Sequence, residues 1–181
     1  MVTELRVYYE GDKALKPGFH KFLAEIVEAA RSQRCKFQLV DAKGTPIQDF
    51  RDALETPRDG DVWNVLLLDS EEPHEFQLRK ERLEGCDHDS IFWMVEIMES
   101  WFFADLDAVN AFFKSSLKEG NPNVERIPKA DVLARLDKAA GGEYLKVRHG
   151  AKLLELIDPK KVRKAARNCE RTFSVILEKL A

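Results

Sequence analysis

Three features of this sequence predict an α/β fold on a mostly parallel sheet. Short β-rich runs alternate with helical periodicity over the first hundred residues, one of those runs is apolar on both faces, and helical patterning takes over from about residue 105. In a sheet of this kind the crossovers are right-handed, and ligands bind beyond the carboxyl ends of the strands.

The elements follow in order. Glu4-Leu-Arg-Val-Tyr-Tyr9 is a β-rich run closed by the turn residues Glu10-Gly11-Asp12. Behind Pro17 and Gly18, the residues Phe19, Phe22, Leu23, Ile26, Val27 and Ala30 recur at helical spacing, which predicts one amphipathic helix over 17–32. Cys35 to Val40 alternates as a second strand, and Ile47, Phe50 and Leu54 mark a helix over about 46–54. Trp63-Asn-Val-Leu-Leu-Leu-Asp69, bounded by Gly60-Asp61 and Ser70, is the central-strand candidate, because its continuous apolar character suits a strand covered on both faces. A fourth strand is expected near Ser90–Met94, running straight into Val95, Met98, Trp101 and Phe102 at helical spacing. Helical segments are then expected near 106–113, 130–139, 151–157 and 159–180.

Composition narrows the function classes. The 181 residues carry 29 basic and 32 acidic side chains at 44% apolar content, which is not the balance of a disordered chain, and no apolar run approaches the roughly 20 residues of a membrane span. Met1 to Leu5 leads directly into a strand pattern without a basic and apolar leader, so a soluble protein in a cytoplasmic setting is expected. Cys35, Cys86 and Cys169 are too far apart to suggest a disulfide framework. Charge is uneven: residues 1–100 hold 13 Lys and Arg against 21 Asp and Glu, whereas residues 101–181 hold 16 against 11. An acidic front and a basic back suit a site that gathers cations while attracting a polyanion, although unequal solvated surface would leave the same imbalance.

The acids have a pattern. Glu10 and Asp69 each stand at the carboxyl end of a predicted strand, so both point to one edge of the sheet, and Glu71 follows Asp69 at i+2. Hard oxygen ligands of this kind suit Mg²⁺ or Mn²⁺, which keep several waters and take one or two carboxylates plus a substrate phosphate. Phosphoryl chemistry follows naturally, with a carboxylate free to accept a proton. Strand-end acids that merely cap helices would look the same in sequence.

The order strand-Glu10-Gly11, helix, strand-Asp69-Ser-Glu71 resembles the TOPRIM domain of topoisomerases, primases and several nucleases, with Glu71 standing where a second aspartate is common. Further along, Met94-Val-Glu-Ile-Met-Glu-Ser-Trp-Phe-Phe-Ala-Asp105, Lys129, Tyr144-Leu-Lys-Val-Arg-His149 and Ile157-Asp-Pro159 are similar to a TOPRIM-like family of prokaryotic proteins. Its members are commonly encoded beside AAA-type or ABC-like ATPases and are associated with phage defence. The resemblance implies a TOPRIM-like α/β core over 1–104 and a helical portion over 105–181 packed on it. It implies Glu10, Asp69 and Glu71 as metal ligands, with Glu10 also a candidate general base. It further implies Glu99, Lys129 and Lys146 as catalytic residues, Lys146, Arg148 and His149 as phosphate contacts, and an ATPase partner.

Beyond the acids, Lys160, Lys164, Arg167 and Arg171 repeat at i, i+4, i+7 and i+11 on the last predicted helix, a basic face able to track a nucleic-acid backbone or simply to face solvent. The loop Gly85-Cys-Asp-His-Asp89 lacks the second Cys or His that a zinc site requires. The aromatic stretch from Phe92 to Phe113 reads as core. No Walker-type phosphate loop occurs, so ATP hydrolysis is expected of a partner and not of this chain. Tyr8 and Tyr9 adjoin Glu10, but a chain of this length lacks a strand-passage apparatus, so water is the expected nucleophile. The reading is a Mg²⁺- or Mn²⁺-dependent nuclease of DNA or RNA partnered with an ATPase in anti-phage defence. The alternative is a non-catalytic subunit that regulates that ATPase, and self-association is left open.

Overall fold

The computed structural model describes residues 1–41, 45–56, 61–118 and 122–181, so Gly60, named above as bounding the central-strand run, lies outside the described residues. Four strands, β1 (Glu4–Tyr9), β2 (Lys36–Val40), β3 (Val62–Asp69) and β4 (Ile91–Met94), form a sheet in the order β2-β1-β3-β4. Every pairing is parallel, with Tyr9 beside Leu67 and Asp69 beside Met94. All four strands therefore end on one edge, and the loops after β1, β3 and β4 leave that edge side by side.

Strand alternation divides the core into two layers, because successive side chains point to opposite faces. Leu5, Val7, Tyr9, Val65 and Leu67 face a large cluster that contains Phe19, Phe22, Trp101, Leu153 and Phe173. Tyr8, Leu66 and Leu68 face a smaller one with Ile47, Phe50 and Leu83. The large layer is built from α1 (Lys16–Phe22), α2 (Ala24–Ser32), α7 (Lys146–Leu156) and α9 (Arg167–Leu180), and the small layer from α3 (Pro46–Glu55), with α4 (Pro73–Arg82) lying outside both clusters. The helical C-terminal part thus shares one apolar core with the sheet. Completing the chain are α5 (Leu106–Phe113), α6 (Lys129–Ala139) and α8 (Pro159–Ala165).

Several elements differ from expectation. The helix predicted over 17–32 breaks at Leu23 (φ −89°, ψ 18°) into α1 and α2, and the one predicted over 159–180 breaks at Ala166 (φ −133°, ψ 105°) into α8 and α9. Both break residues are buried, so the apolar stripe continues across each break and hides it from periodicity. Met98–Ala104 is a 3₁₀ helix and not an α-helix, and α7 begins at Lys146, five residues before the predicted start. The helix α4 was not anticipated, because it buries no residue and so carries no apolar period. Pro73 at its first turn was the available sign.

No helix among the described residues is long and apolar enough to cross a membrane. All three cysteines are free thiols, with Cys35 and Cys169 buried.

Candidate active site

The carboxyl edge of the sheet is where the chemistry-bearing residues meet. β1 ends at Tyr9, and the next residue, Glu10, donates its N–H to the Leu67 carbonyl at 2.9 Å, still in register with β3. Asp69 is the last residue of β3. Past it, Ser70 N–H donates to Met94 O at 2.9 Å and Glu71 N–H to Glu96 O at 2.8 Å, so the loops after β3 and β4 are fastened together. Glu71 itself has φ 60°, a left-handed conformation rarely adopted by a residue with a side chain and costing of order 1 kcal/mol.

Cations from three helices close onto these acids. Arg79, two turns into α4, grips Glu10 with both guanidinium nitrogens: Nη1 bonds Glu10 Oε2, and Nη2 reaches Oε1 at 3.0 Å. The same Nη1 donates to Asp69 O at 2.9 Å, and Nη2 lies 3.8 Å from Glu71 Oε1. Lys129, the first residue of α6, bonds Glu71 Oε2 through its ammonium, while its backbone N–H donates to Glu96 Oε2 at 2.6 Å. Lys146, the first residue of α7, stands 3.6 Å from Glu99 Oε1, within ion-pair range but beyond a hydrogen bond.

Asp69 and Glu99 are the buried members. Asp69 Oδ1 accepts from Met98 N–H at 2.7 Å. Burial, then the neighbouring charges of Glu10 and Glu99, hold its carboxyl well above the usual carboxylate range, with Lys146 and the Met98 N–H opposing. Glu99 is wholly buried and neither of its oxygens has a hydrogen-bond partner. Burial raises its pKa too, against the opposing charge of Lys146. The buried hydroxyl of Tyr144 is likewise without a partner, and burial followed by the Glu99 charge pushes it up, so it stays protonated.

A sequence profile of DUF4276, a domain of unknown function, matches residues 12–176 of the chain. The chain belongs to the DUF4276 family. No curated protein and no solved structure matches it.

In this DUF4276 chain the residues expected from sequence are partly gathered. Glu10, Asp69, Glu71, Glu99, Lys129 and Lys146 all reach the carboxyl edge. They meet as ion pairs, however, and among the described residues no group of three or more His, Cys, Asp and Glu side chains is arranged to hold a metal ion. The trio Glu10, Asp69 and Glu71 is therefore not a ready-made metal centre, since Arg79 and Lys129 occupy the oxygens of Glu10 and Glu71. Asp69 and Glu99 fit a hard cation better. Both are buried and raised by that burial, Asp69 further by the charges of Glu10 and Glu99, and Glu99 has two orphaned oxygens of the kind a cation with mostly water ligands needs from protein.

Other expected residues lie outside this cluster. His149 accepts the Leu145 N–H at 3.1 Å through Nδ1 and packs among Phe112, Phe113 and Tyr144, so it caps α7. Arg148 is exposed on the same helix, and Lys160, Lys164 and Arg167 are exposed around the α8–α9 break. Arg171 leaves the basic face: it donates to Ile91 O, His88 O and Asp89 Oδ1 at 3.2, 3.0 and 2.8 Å, fastening α9 to β4. Tyr8 and Tyr9 are buried, and Tyr9 donates to Asp41 Oδ1 at 2.9 Å.

Sequence reasoning missed Arg79 and Tyr144, and weighed Glu96 only as the weaker candidate beside Glu99, three residues on. Tyr144 and Glu96 stand in the segments that carry the family resemblance, and Arg79 follows Pro73 by less than two turns.

Proposed function

We propose that this DUF4276 chain is a Mg²⁺- or Mn²⁺-dependent nuclease that hydrolyses phosphodiester bonds of DNA or RNA on a TOPRIM-like core. The observation that carries the reading is the meeting of four carboxylates, Glu10, Asp69, Glu71 and Glu99, with three cations, Arg79, Lys129 and Lys146, at the carboxyl edge of a parallel sheet. Carboxylates without cations would repel the substrate, and cations without carboxylates would bind phosphate and do nothing to it.

Asp69 and Glu99 would hold the divalent cation. When bound there, it polarises a phosphate oxygen and helps ionise an attacking water. Arg79 and Lys129 neutralise phosphate oxygens, the guanidinium by a two-pronged contact. Glu10, freed from Arg79, accepts the proton of the water. Lys160, Lys164 and Arg167 supply exposed positive charge for the flanking backbone. The family resemblance supports an AAA- or ABC-like ATPase partner and a role in prokaryotic anti-phage defence.

The test is cleavage of supercoiled plasmid and of RNA by purified protein with Mg²⁺ or Mn²⁺, alone and with the proposed ATPase partner. Asp69→Asn and Glu99→Gln should abolish cleavage in folded protein. Intact nucleic acid under every condition would overturn the reading. A second reading, a non-catalytic subunit regulating the ATPase, is favoured by the ion pairing of Glu10 and Glu71, and tight ATPase binding with no cleavage would support it.

A further inference from the structure

Cations gather a second time at the far end of α6. Lys129 opens that helix at the carboxyl edge, and Lys138 lies nine residues on, about 14 Å along the axis. There a cavity of about 640 Å³ is lined by Lys114, Ser116, Lys118, Arg135 and Lys138, with no Asp or Glu among its described lining residues. Elsewhere cations meet carboxylates, as Arg163 meets Glu25 and Glu170 and Lys161 meets Asp105. The ammonium groups of Lys114, Lys118 and Lys138 meet none among the described residues.

Both walls of this cleft are built in advance. α5 ends at Lys114 in the left-handed conformation, φ 53°, where glycine is the usual residue because it has no Cβ to clash. One side chain ties down the loop that follows: Asn110 Oδ1 accepts from the Ser115 hydroxyl and the Leu117 N–H, each at 2.8 Å, and Asn110 Nδ2 donates to Leu117 O at 2.9 Å. On α6, the Arg135 guanidinium lies 4.3 Å from the ring centre of the buried Phe103, which restrains its plane.

We propose that this cleft binds the polyphosphate chain of a small ligand, two or more consecutive phosphoryl groups. Cations converging on one concavity focus a positive field and repel one another, and a compact anion relieves that repulsion. Consecutive phosphoryl groups concentrate several negative charges in a volume that a cavity of this size encloses. A nucleic-acid backbone instead spreads its charge one phosphate at a time along the strand, and the described lining offers no aromatic ring on which a base could stack. Arg135 supplies a planar fork of N–H donors for phosphate oxygens, and Ser116 adds a hydroxyl. The site stands whether or not the carboxyl edge cleaves nucleic acid.

Titration calorimetry on the full chain, in metal-free buffer at fixed ionic strength, tests this with orthophosphate, pyrophosphate, tripolyphosphate and ATP. Tripolyphosphate should bind on the order of tenfold more tightly than orthophosphate, with pyrophosphate between them. ATP equal to tripolyphosphate supports recognition of the phosphate chain alone, and tighter ATP supports a nucleoside source for it. Combining Lys114→Gly with Lys138→Ala should weaken tripolyphosphate on the order of tenfold without lowering the melting temperature, since glycine suits the left-handed backbone. Lys118→Glu, in the exposed loop, is the second variant should that pair fail to fold. Tripolyphosphate binding no tighter than orthophosphate overturns the proposal, as does affinity unchanged in these variants but lost in Lys129→Met, which would put the anion at the carboxyl edge. A single-stranded oligonucleotide that binds through the cleft residues while tripolyphosphate does not also overturns it, in favour of a nucleic-acid groove.

Discussion

The carboxylate of Asp69, at the end of β3, accepts a 2.7 Å hydrogen bond from the backbone N–H of Met98, the first residue of the 3₁₀ helix that follows β4. That N–H is one of the donors a helix start leaves without an internal partner, so the bond satisfies both groups and fixes which way the acid points. One oxygen is held by the scaffold, and the carboxyl stays beside Glu10 and Glu99.

Replacing Asp69 with Asn should leave the metal-free protein at least as stable at pH 7. The amide keeps an acceptor for Met98 and removes a charge that burial, Glu10 and Glu99 all disfavour. A carboxyl raised on folding contributes stability that is complete below its unfolded pKa of about 4 and is lost as pH climbs to its folded value. Asp69→Asn should therefore gain about 1 kcal/mol at pH 7, a rise of roughly 2–4 °C in melting temperature, with no gain at pH 4. Thermal melts in chelator check this, and a lower melting temperature at pH 7 would contradict it.

Asp105 has the opposite sign. Burial pushes its carboxyl up, but the Lys161 ammonium, with Nζ 2.6 Å from Oδ1, and the Asp158 N–H, 3.0 Å from Oδ2, outweigh that and leave it below its ordinary value. A lowered carboxyl stabilises above its unfolded pKa and loses that contribution as pH falls through its folded one. Asp105→Asn should cost about 1–2 kcal/mol at pH 7 in urea denaturation, and the gap to the unmodified chain should close between about pH 5 and pH 3.

Gly18 marks a close approach of α1 to α7. A methyl group there would stand 3.0 Å from both Ala151 O and Leu154 Cβ. Backbone cannot give way as a side-chain tip can, so Gly18→Ala should destabilise the fold by about 1–3 kcal/mol despite the better helix propensity of alanine. A chemical-denaturation midpoint unchanged from the parent chain would show that the two helices can separate freely.

The basic residues at the α8–α9 break divide into two kinds. Lys160, Lys164 and Arg167 are exposed, so their alanine variants should weaken nucleic-acid binding with little sequence dependence, each reducing the salt slope by about one. Arg171→Ala should instead lower the melting temperature, because it removes three contacts to the β4 region and a guanidinium 5.1 Å from the Phe92 ring centre. Fluorescence anisotropy across a salt series, paired with melts, separates these outcomes.

Much of this was legible in the residues themselves. The run Trp63–Asp69 is apolar on both faces, as suits a central parallel strand, and that puts Asp69 at the same edge as Glu10. The helix α4 was not legible, since a helix that buries nothing carries no period, and with it went Arg79, the residue that grips Glu10. The division of the last helical stretch into α8 and α9 was hidden because Ala166 is buried like the residues around it.

The sequence by itself determined the alternation of strands and helices, the parallel sheet and the edge at which its acids collect, because hydrophobic periodicity is local and repeats. Only the tertiary structure decided that Glu10 faces Arg79, Glu71 faces Lys129 and Glu99 lies buried with no hydrogen-bond partner. Coulomb attraction depends on distance across the fold and has no period along the chain, so which cation meets which acid becomes readable only once the loops are in place.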